Sequence, residues 1–318
     1  MTLSEELRFR AGDASLAGTL TLPSVEGLAP WALLVPSWLP RNRDGGWDTG
    51  SHPDWFGPPR SDRGLLLRLA DALAERGVAS LRYDPRGSGA SDGTWEATPF
   101  FTRIDDARDA IGAMRARREL DLRRTAIVGH GEGAGIALSV AIADPAIGAV
   151  GLIGASARSL RSVLRRGVAL RGGSGRDLEH PLVVALDRAA EELIERTERG
   201  EPTMPLEVGD DRLTLDLAGW EQAIHTPPLA LATMLHREVV LIHGSDDVWA
   251  DPEESRLLAE ILRTGENDPT FALVDGADHD LDQAGDADID AFADALVARM
   301  QPRELPPVLV AIEQMSSG

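Results

Sequence analysis

The residues at 129–133 form the segment of this chain whose types and spacing point most directly to chemistry. From 127 to 135 the sequence reads Ile-Val-Gly-His-Gly-Glu-Gly-Ala-Gly, with three glycines alternating with His and Glu at the centre. A short apolar strand is predicted at 125–128 and a helix at 134–143. A strand, a sharp turn and a helix in this order are typical of the G-x-S-x-G turn, which presents a nucleophilic serine. The serine position holds Gly131, so the chemistry must come from other residues.

The turn predicts an electrostatic function even without a serine. A residue at position 131 would be held in a strained backbone conformation, which glycine adopts at little cost. The backbone N–H of Glu132 comes at the first turn of the following helix, where a donor can hold a developing negative charge. Gly131 therefore marks an open space beside Glu132, which is the predicted donor for an oxyanion.

Charge and composition exclude several classes of partner. The chain has 318 residues, with 52 acidic and 32 basic side chains and a net charge of −20. A nucleic-acid-binding protein needs a basic face, and so does a protein that docks on anionic membranes. We therefore expect a small-molecule substrate as the partner, with neither nucleic acid nor membrane, and the sequence leaves a homodimer open.

Cofactor and location follow from residues that are lacking. There is no cysteine, so disulfides and thiolate metal sites are excluded, and the histidines show no metal-ligand spacing. We expect no metal and no cofactor. The first residues form no leader and no stretch is apolar enough to cross a bilayer, so a cytoplasmic location is the expectation.

The hydrophobic pattern alternates predicted strands with predicted helices and indicates an α/β fold. Such an order builds a mostly parallel sheet covered by helices on both faces. Strands are predicted at 6–10, 16–22, 31–35, 78–83, 125–128, 149–153, 239–242 and 271–274, and helices at 65–76, 105–118, 134–143, 182–196, 229–235, 252–263 and 289–300.

One segment interrupts this alternation. Between 155 and 235 the chain becomes rich in arginine and glutamate, with helical stretches in place of β/α units. We interpret 1–154 and 236–318 as one core and 155–235 as a helical cap over the ends of the strands, where such sheets bind ligands. Aromatic residues of the loop at 38–56, here called the Trp loop, are expected to overhang the same site.

Four segments in sequence order resemble the α/β-hydrolase superfamily, within it the dienelactone-hydrolase-like and S33-type esterases and peptidases. The resemblance covers nearly the whole chain and implies the α/β-hydrolase fold. The segments are Gly129-His130-Gly131-Glu132-Gly133-Ala134, Leu81-Arg82-Tyr83-Asp84-Pro85-Arg86-Gly87-Ser88-Gly89-Ala90-Ser91, Val240-Leu241-Ile242-His243-Gly244-Ser245-Asp246-Asp247 and Gly276-Ala277-Asp278-His279-Asp280.

The resemblance implies site residues. His279 would be the catalytic base, and Asp247 would orient it and stabilise its imidazolium form. Asp246 is the rival for the acid, and Asp247 is preferred because it follows Gly244 by three residues. The loop after the strand at 31–35 would supply a second oxyanion donor, the N–H of Trp38.

Two further residues complete the predicted site. Ser37 stands where the family usually has glycine, next to the Trp38 donor, and His130 lies beside the turn. Both are predicted near the oxyanion and the substrate, together with Glu132.

Three functional hypotheses remain open. In the first, His279 and Asp247 form a dyad that acts as general base on a small hydrophobic ester, acyl compound or ketone, in an elimination or related natural-product tailoring step. In the second, the chain is an ordinary serine esterase whose nucleophile has been replaced. In the third, it is a catalytically silent binding protein, because one fold hosts many functions.

Overall fold

A computed structural model describes residues 2–57, 63–174, 180–265 and 267–310, and it is built around an eight-stranded sheet. The strands of this sheet are β1 (Leu3–Ala11), β2 (Ala14–Leu22), β3 (Ala29–Val35), β4 (Ala79–Tyr83), β5 (Leu120–His130), β6 (Ile147–Ile153), β9 (Glu238–Gly244) and β10 (Thr270–Val274). Their spatial order is β1-β2-β4-β3-β5-β6-β9-β10. β2 pairs antiparallel with β1 and β4, and all remaining pairs are parallel.

Helices cover both faces of the sheet, as predicted. They are α1 (Leu65–Glu75), α2 (Phe100–Arg115), α3 (Gly133–Ala143), α8 (Pro252–Thr264) and α9 (Asp286–Arg299). One core packs α2, α3 and α8 against the sheet, and a second core packs α1 and α9 against the opposite face. β3 and β6 are apolar along their whole length because both of their faces are buried.

The segment between β6 and β9 leaves the sheet and forms the insertion. It contains α4 (Leu160–Ser174), α5 (Pro181–Glu198), α6 (Leu217–His225) and α7 (Pro228–Ala232), and a hairpin of β7 (Thr203–Val208) with β8 (Asp211–Asp216). The description of this segment as helical therefore needs correction. The hairpin has an alternating signature, since every second residue of β7 is buried and Gly209 turns the chain with φ +59°.

Several helix boundaries differ from the sequence expectation by up to five residues. α2 begins at Phe100 rather than at residue 105, and Pro99 precedes it as N-cap. α7 is a single short turn that ends at Ala232. None of the helices in the described ranges is both long enough and apolar enough to span a membrane.

Candidate active site

The turn between β5 and α3 brings the backbone to the centre of the site. Gly131 has φ +57°, a region that side-chain-bearing residues rarely adopt. Its N–H donates to the carbonyl of Ile153 at 2.9 Å, which ties the turn to β6. Gly129 lies against the first residue of α3, because a Cβ atom there would be 2.0 Å from the Gly133 carbonyl oxygen. The spacing of the two glycines is thus required by the sharpness of the turn.

Two groups border the space above Gly131. A Cβ atom built on Gly131 would lie 2.4 Å from Ser37 Oγ and 2.9 Å from His279 Nε2. A side chain at this position would therefore point at the imidazole of His279. The Ser37 hydroxyl already occupies part of the space that such a side chain would need.

His279 lies in the loop after β10, and Asp247 lies in the loop after β9. His279 Nδ1 is 2.7 Å from Asp247 Oδ2, and both residues are buried. With Nδ1 donating to the carboxylate, Nε2 is the nitrogen that remains able to accept a proton. His279 lines the cavity beneath the insertion, so this nitrogen lies where a substrate could reach it.

The loop around Asp247 holds its carboxylate in place. Oδ1 accepts from the N–H groups of Trp249 at 2.7 Å and Ala250 at 2.9 Å, and so Oδ2 is left for the histidines. Asp246 is exposed, and its side chain accepts from Ser245. The geometry therefore pairs Asp247, rather than the rival Asp246, with His279.

Burial and charge set the protonation of this pair. Burial disfavours the imidazolium form of His279, but the Asp247 charge and hydrogen bond outweigh it and raise the pKa of His279 above its ordinary value. Burial likewise opposes ionisation of Asp247, but the two neighbouring histidines hold the pKa of Asp247 well below its usual range. Asp247 is thus ionised, and it stabilises a proton taken up by His279.

A second histidine touches the same carboxylate and was not singled out from the sequence. His243 lies on β9, is fully buried, and its Nε2 is 3.0 Å from Asp247 Oδ2. Its Nδ1 is 2.7 Å from Ser255 Oγ, which donates to the carbonyl of Ala155. In the sequence, the sign of this contact is that His243 and Asp247 are four residues apart at the end of a strand. The same spacing also occurs between residues that do not touch.

The two predicted oxyanion donors belong to residues that border the cavity together with Gly131. Trp38 and Glu132 both line the cavity, and within the described ranges neither backbone N–H donates a hydrogen bond. Arg103 of α2 joins their loops, since its Nη1 donates to Glu132 Oε2 at 2.9 Å and to the Trp38 carbonyl at 3.3 Å. Arg103 is a second residue that the sequence did not reveal, because its role depends on the packing of α2.

The Glu132 side chain has a structural partner. Burial raises the pKa of the Glu132 carboxyl, while the charge of Arg103 and its hydrogen bond favour the ionised form. The carboxylate and the guanidinium therefore form a largely buried pair beneath the cavity. The N–H of Glu132, not its carboxyl, remains the group available to a substrate.

His130 does not line the cavity, which corrects its expected position near the substrate. It is fully buried, and its Nε2 donates to the backbone carbonyl of His279 at 3.0 Å. Burial lowers the pKa of His130 to about 3, so the ring is neutral. Its contact fixes the loop that carries His279, because the last residue of β5 points toward that loop.

The site opens into a largely apolar cavity beneath the insertion. The cavity encloses about 700 Å³, including its opening to solvent, and its polar lining includes Ser37 and Ser156. Its apolar walls are Trp38, Leu39, Phe100, Leu160, Val163, Ala223, Pro228, Trp249 and Ala250. Several of these belong to the insertion, so that segment covers the site.

The Trp loop contributes less to the cavity than expected. Trp38 lines it, but Trp47, Trp55 and Phe56 pack into a cluster with the insertion. Trp47 and Phe56 stack at 4.7 Å, and Trp55 Nε1 donates to Asp211 of the hairpin at 2.8 Å. These rings fasten the insertion to the core, because the indole N–H finds its partner there and not in the cavity.

No group of three or more His, Asp or Glu side chains in the described part of the chain is arranged to hold a metal ion. The groups of the site that can take part in chemistry are His279, Asp247, the hydroxyl of Ser37 and the backbone N–H groups of Trp38 and Glu132.

One sequence family and several solved structures resemble this chain. The sequence model of the family described as serine aminopeptidase, S33, matches residues 62–165, which include the Gly131 turn. No curated protein matches this chain in sequence.

Solved structures match over nearly the full length. A structure of Est1E from Butyrivibrio proteoclasticus with bound ferulic acid has a TM-score of 0.66 at 14% identity and covers 92% of this chain and 99% of that one. The α/β hydrolase GrgF from Penicillium sp. sh18 has a TM-score of 0.62 at 18% identity, covering 94% and 99%. The esterase domain of a Rhodothermus marinus protein has a TM-score of 0.58 at 20% identity, covering 94% and 97%. These likenesses show that this chain has the α/β-hydrolase fold.

Proposed function

We propose that this chain is an enzyme that acts on a small, mostly apolar carbonyl compound, with His279 as general base and Asp247 as its supporting acid. The observation that carries the proposal is the 2.7 Å contact between His279 Nδ1 and Asp247 Oδ2 at the edge of the cavity. A silent binding protein would have no use for a buried, ionised carboxylate held against an imidazole, because its burial is costly.

The cavity wall supports the substrate class. Aromatic and aliphatic side chains dominate it, and the cationic side chains on it are already paired. Arg41 pairs with Asp280 at 3.0 Å, and Arg158 pairs with Glu254. An ester or ketone with an aromatic or aliphatic body suits such walls, and the carbonyl oxygen is its one strong acceptor.

Proton abstraction next to the carbonyl is the reaction that these groups can catalyse without a covalent intermediate. His279 Nε2 would take the proton from the carbon beside the carbonyl, and the N–H groups of Trp38 and Glu132 would hold the enolate oxygen. Loss of a leaving group from the next carbon then completes an elimination. Such a step needs no side chain at residue 131.

Hydrogen exchange in D₂O tests the proposal directly. With phenylacetone as probe, proton NMR should show faster deuterium uptake beside the carbonyl in the presence of the protein. His279→Ala should slow the uptake by roughly 10²-fold or more, because general-base catalysis contributes about that much. His236→Ala is the matched control, since His236 is exposed and outside the cavity. Exchange no faster than in buffer, for phenylacetone and for its α-acetoxy derivative, would contradict the proposal.

A further inference from the structure

We propose that Ser37 supplies a nucleophilic hydroxyl at this site and that the chain hydrolyses small apolar esters through an acyl-Ser37 intermediate. This inference rests on the proposed role of His279 as base. It adds a covalent route for esters to the proton abstraction described above. The serine would act from the loop after β3 instead of from the turn after β5.

The position of the hydroxyl is the first support. Ser37 Oγ lies 2.4 Å from the point where a Cβ atom of residue 131 would be, and His279 Nε2 lies 2.9 Å from the same point. The oxygen of a serine at 131 would stand about one bond length from that point. The Ser37 hydroxyl therefore borders the place from which a nucleophile at 131 would act.

The second support is that the Ser37 hydroxyl is not used in hydrogen bonding that holds the described part of the fold together. Ser37 is 6% exposed and lines the cavity, and its hydroxyl makes no hydrogen bond within the described ranges. The hydroxyl therefore faces the cavity without a partner of its own in the described part of the fold. A substrate or the imidazole of His279 would provide the missing partner.

Gly131 supports the same assignment from the other side. A Cβ atom at 131 would lie 2.4 Å from Ser37 Oγ and force the hydroxyl to move, so glycine lets Ser37 keep this position. The Ser37 hydroxyl thus fills the space that Gly131 leaves open by having no side chain.

The surrounding groups can carry both halves of an ester hydrolysis. Ser37 Oγ attacks the carbonyl carbon while its proton passes to His279 Nε2, and the oxyanion is held by the Trp38 and Glu132 N–H groups. The bond to the alkoxy oxygen breaks, and His279 returns the proton to the leaving alcohol. Water then attacks the acyl-Ser37 carbonyl with His279 as base, and the acid is released as Ser37 regains its proton.

Labelling of the unaltered protein tests the assignment without any variant. An alkyl fluorophosphonate should add one phosphonyl group, seen by intact mass, with loss of fluoride. Fragmentation of the tryptic peptide 11–41 should place it on Ser37 rather than on Ser15 or Ser24. No label, or a label on another residue, would overturn the inference, and His279-dependent deuterium exchange of phenylacetone would still stand if it were observed.

Variants separate a reacting hydroxyl from a space-filling one. Ser37→Ala should abolish labelling and lower p-nitrophenyl butyrate hydrolysis by roughly 10³-fold, as expected for loss of a nucleophile. Ser88→Ala is the matched control, because Ser88 is equally buried and unpaired but lies outside the cavity. Thermal melting of each variant shows that it folds.

The reciprocal exchange provides the rescue. Ser37→Gly alone should lose hydrolysis, and Ser37→Gly combined with Gly131→Ser should restore it and move the label to residue 131. Hydrolysis that is unchanged in Ser37→Ala would overturn the inference.

Discussion

Asp247 is a carboxylate shared by two histidines, and this arrangement governs the acid–base behaviour of the site. Oδ2 is 2.7 Å from His279 Nδ1 and 3.0 Å from His243 Nε2. His279 is at the cavity, whereas His243 is enclosed between β9 and α8. His243 therefore acts as a positioning residue that keeps the carboxylate directed at the base.

The pH dependence of turnover should report the Asp247 contact. A general base works when it is neutral, so activity should rise with pH through the pKa of His279. Because Asp247 raises that pKa above its ordinary value of 6.5, the acidic limb of kcat/KM should lie above pH 6.5. Asp247→Asn removes the stabilising charge, and so the limb should move to lower pH while activity falls by roughly 10²–10⁴-fold.

Asp246→Asn is the control for this shift, since it removes an equal charge from an exposed neighbour that does not contact His279. We expect its acidic limb to coincide with that of the unaltered chain. A limb that stays in place in Asp247→Asn would contradict the role of Asp247.

At the scale of elements, α4 connects the insertion to the loop that carries the acid. Arg171 of α4 is buried and pairs with Asp187 of α5. Its guanidinium lies 4.0 Å from the centre of the Trp249 ring and donates to the Val248 carbonyl at 3.4 Å. Trp249 also donates its N–H to Asp247, so this one residue links α4 to the loop that holds the acid.

Replacing Arg171 should destabilise the fold and disturb the site together. Arg171→Gln leaves Asp187 without its charge partner, and loss of one member of a buried pair costs about 3 kcal/mol in the free energy of unfolding. Urea denaturation should show this loss, and kcat/KM should fall because Trp249 loses its support.

Arg165→Gln is the matched variant for this test. Arg165 joins the same two helices through Glu191, but both side chains are exposed, so water replaces the lost contact. We expect its free energy of unfolding and its kcat/KM to stay close to those of the unaltered chain. Equal destabilisation by the two substitutions would show that Arg171 is not a special contact.

At the scale of the whole molecule, the net charge of −20 determines which ligands approach readily. Such a charge repels anions over a distance set by the ionic strength. The arginines at the cavity do not reverse this field, because they are paired with carboxylates. Neutral apolar compounds are therefore favoured over acids of similar shape.

Salt should reveal this preference. A carboxylated aryl ester should show a kcat/KM that rises as salt goes from about 10 mM to about 150 mM, since the Debye length then falls from about 30 Å to about 8 Å. The uncarboxylated ester should show almost no change, and an ester with a trimethylammonium group should show a fall. An identical response of the three compounds would contradict the electrostatic argument.

The strands, helices and turns of the core could be predicted from the sequence, because each depends on residues close together in the chain. Buried parallel strands are continuous apolar runs, so most strands and helices of the core could be predicted, as could the interruption after β6. The turn at Gly131 could be predicted because its glycines are required where β5 packs closely against α3. The order of the four family-like segments identified the loops that bear His279 and Asp247.

Contacts between side chains far apart in the sequence came from the three-dimensional structure alone. The sequence places Ser37 near the predicted oxyanion, but the 2.4 Å distance from its hydroxyl to the place of a Cβ on Gly131 comes from the pairing of adjacent strands in the sheet. The contacts of His243 and Arg103, and the retreat of His130 from the cavity, have the same origin. Distances between residues far apart in sequence follow from packing, which a local pattern does not contain.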